Sequence, residues 1–219
     1  MKKRLLSVLL CSAMVAAMAV GCGGGSSDSG SSDEGGSDSG SSDVITIGFS
    51  QVGAESDWRT ANSESMQDTF SEENGYNLIF DDAQQKQENQ ITAIRNFINQ
   101  EVDYILLAPV TETGWDTVLQ EAYDADIPVI IVDRMVEVSN DDLYTTWIGT
   151  DSLLEGRKAA EWLNAYATAK GWAPEDLHIV DIQGTIGSTA QIGRTQGLEE
   201  GVEKYGWDLL AQQTGEFTQ

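Results

Sequence analysis

The chain has 219 residues, with 12 Lys and Arg against 36 Asp and Glu, a formal net charge of −24 at pH 7. A surface this acidic repels phosphate backbones and excludes nucleic acid as a partner. Two cysteines and one histidine, His178, exclude a His/Cys metal cluster, and a Ser-His-Asp triad is open only if His178 serves it.

Lys2, Lys3 and Arg4 precede an apolar run that reaches Val20 and is followed by Gly21-Cys22. The run is short for a bilayer-spanning helix and has the layout of a secretory signal. A small residue directly before a cysteine resembles the bacterial lipoprotein signal, in which the cysteine becomes an acylated N-terminus. Ala19 stands where that signal usually carries Leu, and the other reading is a plain cleaved signal with an incidental cysteine. Residues 1–22 are read as the signal with acylated Cys22 as lipid anchor, which places the chain outside the cytoplasm on the cell membrane. Residues 23–43 hold only Gly, Ser, Asp and Glu. Nothing there offsets ordering entropy, so the segment reads as a disordered tether with a reach of roughly 25 Å. Past the signal, nine bases face 36 acids, a charge of −27, and no thiol remains outside the anchor. An internal disulfide and a cysteine nucleophile are both excluded.

The composition changes at Val44. The β-branched run 44–50 predicts a strand. Residues 58–74 have helical spacing, with Gly75 as a stop. Strand 77–80, helix 88–100, strand 104–108, helix 115–125, strand 129–132 and strand 144–149 follow. A second unit then begins, with helix 153–169, strand 177–182, helix 190–205 and strand 209–212. Strands that read as continuous apolar runs are buried on both faces, which means a parallel sheet. Strict alternation of strand and helix means α/β with right-handed crossovers. Residues 44–150 suffice for one five-stranded lobe, and residues 151–219 supply only the beginning of a second, so the second lobe is expected to be incomplete. His178 falls near the start of a strand and reads as an ordinary strand residue.

In a parallel α/β sheet, ligands bind outside the carboxyl ends of the strands. Arg59, Arg134 and Arg194 all follow predicted strands, a concentration of bases that stands out in so acidic a chain. Asp133-Arg134 ends the strand 129–132. An Asp accepts from vicinal hydroxyls and an Arg fork donates to ring or hydroxyl oxygens, which is what a sugar requires. A strand-end salt bridge is the alternative. Trp58 precedes Arg59 where the first loop turns into a helix, and an exposed indole there offers a flat apolar face to a sugar. A core tryptophan is the alternative. Trp115 is ambiguous, while Trp162 and Trp207 read as packing residues. The polar run 84–90 has amides for a hydroxylated ligand or a solvated helix start. The turn 184–188 has the glycines of a phosphate cradle but lacks the P-loop lysine and the dinucleotide-binding spacing. A glycosidase needs two carboxylates flanking one bond, and spacing singles out no pair among Glu55, Asp57, Asp133 and Asp151. The chain is read as a monomer and not an enzyme, with neither metal nor cofactor.

Several segments together carry a family resemblance: 47–59 with Trp58-Arg59, 82–91, Ala108-Pro109-Val110, Thr113-Gly114-Trp115, Ile127-Pro128-Val129, Asp133-Arg134, and 183–188 with Arg194 and Gly197. Residues 44–219 resemble the periplasmic sugar-binding proteins of the ribose/galactofuranose type. Trp58-Arg59 and the run 84–90 favour the furanose subgroup. The resemblance implies a periplasmic-binding-protein-like fold of two doubly wound parallel-sheet lobes closing about a hinge, with Thr150-Asp151 as its first crossing. It implies sugar contacts at Trp58, Arg59, Asp133, Arg134 and Arg194, with Phe217 as a second aromatic wall. It also implies capture of a monosaccharide for an ABC permease and its ATPase, or alternatively for a chemoreceptor or histidine kinase. A repressor's ligand domain is opposed by the export signal. The family's second lobe continues well past Gln219.

Overall fold

The computed structural model describes residues 44–218. The signal, Cys22 and the tether expected from the sequence lie outside the described residues. Among the described residues no helix is long and apolar enough to cross a membrane.

The first lobe is built on strands β1 (Ile45–Gln51), β2 (Tyr76–Asp82), β3 (Tyr104–Leu107), β4 (Val129–Asp133) and β5 (Thr146–Gly149). All pair in parallel in the order β2-β1-β3-β4-β5. Helices α1 (Asp57–Thr69), α2 (Gln87–Asn99) and α3 (Asp116–Asp124) make the crossovers. Alternate strand residues face opposite sides. Ile105 and Leu107 join Ile94, Phe97, Val118 and Leu119 in a core under α2 and α3. Leu106 points the other way, with Ile47, Phe49 and Val52, toward Met66 and Phe70 at the end of α1. Double-sided burial is why these strands carry apolar runs rather than alternation.

The first helix is shorter than its spacing suggests. It stops at Thr69, and a separate single turn covers Glu72–Asn74 before Gly75 at φ +86°. The reason lies in Phe70, which leaves the helix and sets its ring edge-on to Tyr76 at 5.2 Å. That contact joins it to the apolar cluster beneath α1.

After Gly149 the chain crosses to the second unit: α4 (Ser152–Lys170), β6 (His178–Gln183), α5 (Thr189–Tyr205) and β7 (Asp208–Thr214). Asp151 caps α4, its carboxylate accepting from the Leu154 N–H at 2.9 Å. β6 and β7 form a two-stranded parallel sheet. The sheet meets α4 and α5 around a cluster of Ala160, Ala167, Leu177 and Trp207, with Ile179 of β6 and Leu198 and Val202 of α5 packed against it. Val180, Ile182 and Leu210 stand exposed. Trp207 is a packing residue, as its sequence context suggests, but Trp162 is not. It is 65 % exposed and stacks on Tyr166, one turn along α4.

Candidate functional site

The carboxyl ends of β1 and β4 and the loop after β7 meet at one cleft of about 430 Å³. Trp58, Arg59, Asp133, Arg134, Arg194 and Phe217 all line it, together with Glu55, Ser56, Thr150, Glu155 and Ala190.

Ser56 starts the arrangement. Its hydroxyl caps α1 by accepting from the Arg59 N–H at 3.2 Å, satisfying a donor that the first helical turn leaves unpaired. The cap places Trp58 and Arg59 in that first turn, and they part company there. Trp58 is 58 % exposed, with the Arg59 guanidinium against its ring at 4.9 Å. Arg59 is 2 % exposed. Its Nε donates to Glu55 Oε1 at 3.0 Å, its Nη1 to Gln51 Oε1 at 3.1 Å and its Nη2 to Asp133 Oδ2 at 2.8 Å. Arg59 therefore braces the loop after β1 against the end of β4, with three of its N–H groups committed within the protein.

Asp133 is the last residue of β4 and sits at φ +64°, a left-handed conformation that Asp tolerates better than most residues. Its carbonyl accepts from Trp147 Nε1 on the neighbouring strand at 3.2 Å. The bend turns Arg134 inward. Arg134 is 3 % exposed and donates through Nη1 to the Val110 carbonyl at 3.0 Å. Its other nitrogens lie 3.8 Å from Glu55 and 3.9 Å from Asp133. Burial first, and then the neighbouring Arg59 charge, lower its pKa to about 10, against the opposing pull of Asp133 and Glu55.

The second lobe contributes Arg194 from α5, paired with Glu155 of α4 at 2.9 Å. Phe217 sits on a turn in which Glu216 and Phe217 both have positive φ, and its ring lies against Gly184. Two guanidinium groups approach that ring, Arg134 at 5.3 Å and Arg194 at 6.0 Å. Three arginines and three carboxylates thus line the cleft. In a chain of net charge −24 the cleft is electrically balanced.

Other candidates fall elsewhere. Trp115 is fully buried in the first-lobe core and donates its indole N–H to the Thr111 carbonyl. Gln90 is also buried, donating to the Ala108 carbonyl at 2.7 Å and accepting from the Val110 N–H at 2.9 Å. It ties the end of β3 in place. Gln87 donates to the Thr113 carbonyl. The run 84–90 therefore supports the loops around the cleft without lining it. His178 is exposed and lies 3.3 Å from Asp208 on β7. Among the described residues no group of three His, Cys, Asp or Glu is placed to hold a metal ion.

The pairing of Glu55 and Gln51 with Arg59 is what sequence reasoning missed: Glu55 stands there only among four candidate carboxylates, and Gln51 only within the segment 47–59. The Glu55 side chain is 2 % exposed, and its Oε2 is buried without a partner. The spacing of Glu55 and Arg59, four residues apart, was the available signal.

Residues 47–217 match the family described as periplasmic binding protein domain. The chain is 41 % identical over 175 residues to the galactofuranose-binding protein YtfQ of Escherichia coli K12, covering 80 % of this chain and 53 % of that protein. The periplasmic binding protein component of the arabinose ABC transporter from Shewanella sp. ANA-3, bound to α- and β-L-arabinofuranose, is 47 % identical with a TM-score of 0.73. A Mycobacterium smegmatis structure in complex with β-D-fucofuranose is 48 % identical with a TM-score of 0.74. Each of these two matches covers 80 % of this chain and 56 % of the other. The chain spans about half the length of the relatives it matches.

Proposed function

The chain belongs to the periplasmic binding protein domain family, and from that premise we propose that it captures a monosaccharide in furanose form, galactofuranose-like, for an ABC importer. The observation that carries this reading is the lining of the cleft: two aromatic residues, Trp58 and Phe217, with three arginines balanced by three carboxylates. Aromatic faces suit the C–H face of a sugar ring, and fixed donors and acceptors suit its hydroxyls. Charge balance suits a neutral ligand and disfavours a phosphorylated one, which would face Glu55, Asp133 and Glu155. A cleft of about 430 Å³ lies within the roughly 300–1,000 Å³ usual for small-molecule sites. Three relatives, one named for galactofuranose and two bound to a furanose, support that ring form.

Capture involves no chemistry. The sugar enters between open lobes, the lobes close, and the closed form is presented to the permease and its ATPase. The positive n-region, apolar run and Cys22 support export and a lipid anchor on the membrane. The test is a tryptophan-fluorescence titration of the intact protein. Reducing galactose and L-arabinose, which reach a furanose ring, are compared with their methyl pyranosides, which do not. Saturable quenching by a reducing sugar alone, lost in Trp58→Ala and Arg134→Ala, is expected. No response to any sugar from folded protein overturns the reading.

A further inference from the structure

The turn between β6 and α5 has the glycines of an anion cradle, but several of its polar groups are already engaged. The Ser188 hydroxyl accepts from the Gln191 N–H at 3.2 Å and donates to the Thr185 carbonyl at 2.8 Å. The Gly187 N–H donates to Gln191 Oε1 at 3.1 Å. What remains reaches across to the first lobe. The Gly187 carbonyl accepts from the Glu112 N–H at 2.8 Å. Thr189 Oγ1 accepts from the Met135 N–H at 2.9 Å.

Both first-lobe donors belong to the loops that hold Arg134. Met135 is the next residue in the chain. Glu112 lies two residues after Val110, whose carbonyl takes the Arg134 guanidinium at 3.0 Å. The two loops are joined to each other as well, through the Glu137 N–H and the Glu112 carbonyl at 2.7 Å. We propose that Thr189 is a positioning residue that couples closure of the lobes to the placement of Arg134. The proposal rests on the reading of the cleft as a ligand site.

Of these two bonds, that between Glu112 and Gly187 is backbone to backbone and independent of side-chain identity. The bond to Met135 needs a short side chain with an oxygen at position 189, which Thr and Ser supply. When the lobes part, the Met135 N–H passes to water and Arg134 loses the Phe217 ring. Closure fixes the main chain beside Arg134 and covers its guanidinium in one movement.

The closure measurement itself needs no sugar. In the full chain with Cys11 and Cys22 replaced by Ser, spin labels on Glu73→Cys and Glu203→Cys report the distance between lobes by pulsed electron resonance. Both positions are exposed, one on each lobe, and the sequence has no other cysteine. In the ligand-free protein, Thr189→Val and Thr189→Ala lower the ratio of closed to open forms roughly three- to ten-fold, the loss of one net hydrogen bond. Thr189→Ser restores it. Wild-type distances in both Thr189→Val and Thr189→Ala overturn the proposal, as does a Thr189→Ser variant as open as the other two. Galactose added to the same labelled proteins separates the two readings. Thr189-dependent closure without any sugar response keeps the latch and removes the sugar. A sugar response in proteins whose closure ignores position 189 does the reverse.

Discussion

A guanidinium that is 2 % exposed would be costly without compensation, and Arg59 has it from Glu55, Gln51 and Asp133. The cost reappears if one member is removed alone. Arg59→Met leaves the Glu55 carboxylate buried beside an apolar chain, and the expected loss is about 3–5 kcal/mol in urea unfolding. Adding Glu55→Gln to that variant recovers part of the loss, because the stranded charge goes with it. Trp58→Ala, by contrast, removes a largely exposed ring that lies against the Arg59 guanidinium, and costs about 1 kcal/mol or less. Equal destabilisation by Arg59→Met and Trp58→Ala contradicts this division of labour. The division was only half visible in the sequence. That Trp58, Arg59, Asp133 and Arg134 belong to one edge of the sheet follows from their places after strands. That Arg59 is turned inward as a brace depends on its distance to Asp133, 74 residues away, which local spacing does not encode.

At the scale of elements, apolar runs were a dependable guide, since a strand covered on both faces has little choice of residue. β1, β3 and β4 stand where those runs stand. Turns were less legible, because their geometry follows from what packs against them. Gly184 directly follows β6, and a β-carbon there would overlap the Phe217 ring. Its lack of a side chain seats that ring beside Arg134 and Arg194. Read alone, the turn has the glycines of a phosphate cradle without its lysine or spacing; in the structure it is the floor under an aromatic wall. Gly184→Ala is expected to push Phe217 out of place, at about 1–3 kcal/mol of overpacking. Under the proposed sugar capture, affinity should fall as far as in Phe217→Ala. In a Phe217→Ala background the same substitution should cost little, since the clash has gone. A full additional loss in the double variant shows that Gly184 serves something other than Phe217.

Among the described residues the two lobes differ in how much sheet and core each holds, and exchange in this chain should show it. The first has five strands with apolar clusters on both faces. The second has two strands, and Val180, Ile182 and Leu210 on its outer face are exposed. A two-stranded sheet is marginal by itself, so β6 and β7 depend on α4 and α5. Those helices approach closely where Gly156 lies against Gly197, and Arg157 and Glu200 form an ion pair at their surface. Local opening free energies follow buried contact, so backbone amides should divide into two classes. In hydrogen exchange on this 219-residue chain, β1, β3 and β4 are expected to exchange only through global unfolding, with β6 and β7 faster by orders of magnitude. Residues 184–189 and 214–217 are held partly by their bonds to the first lobe and by Phe217. A sugar that favours closure should slow their exchange selectively and leave β3 unchanged. Uniform protection across both sheets contradicts this division of the amides. Sugar-dependent protection confined to β3 and α3, away from the turn that carries Thr189, argues against closure as the response to binding.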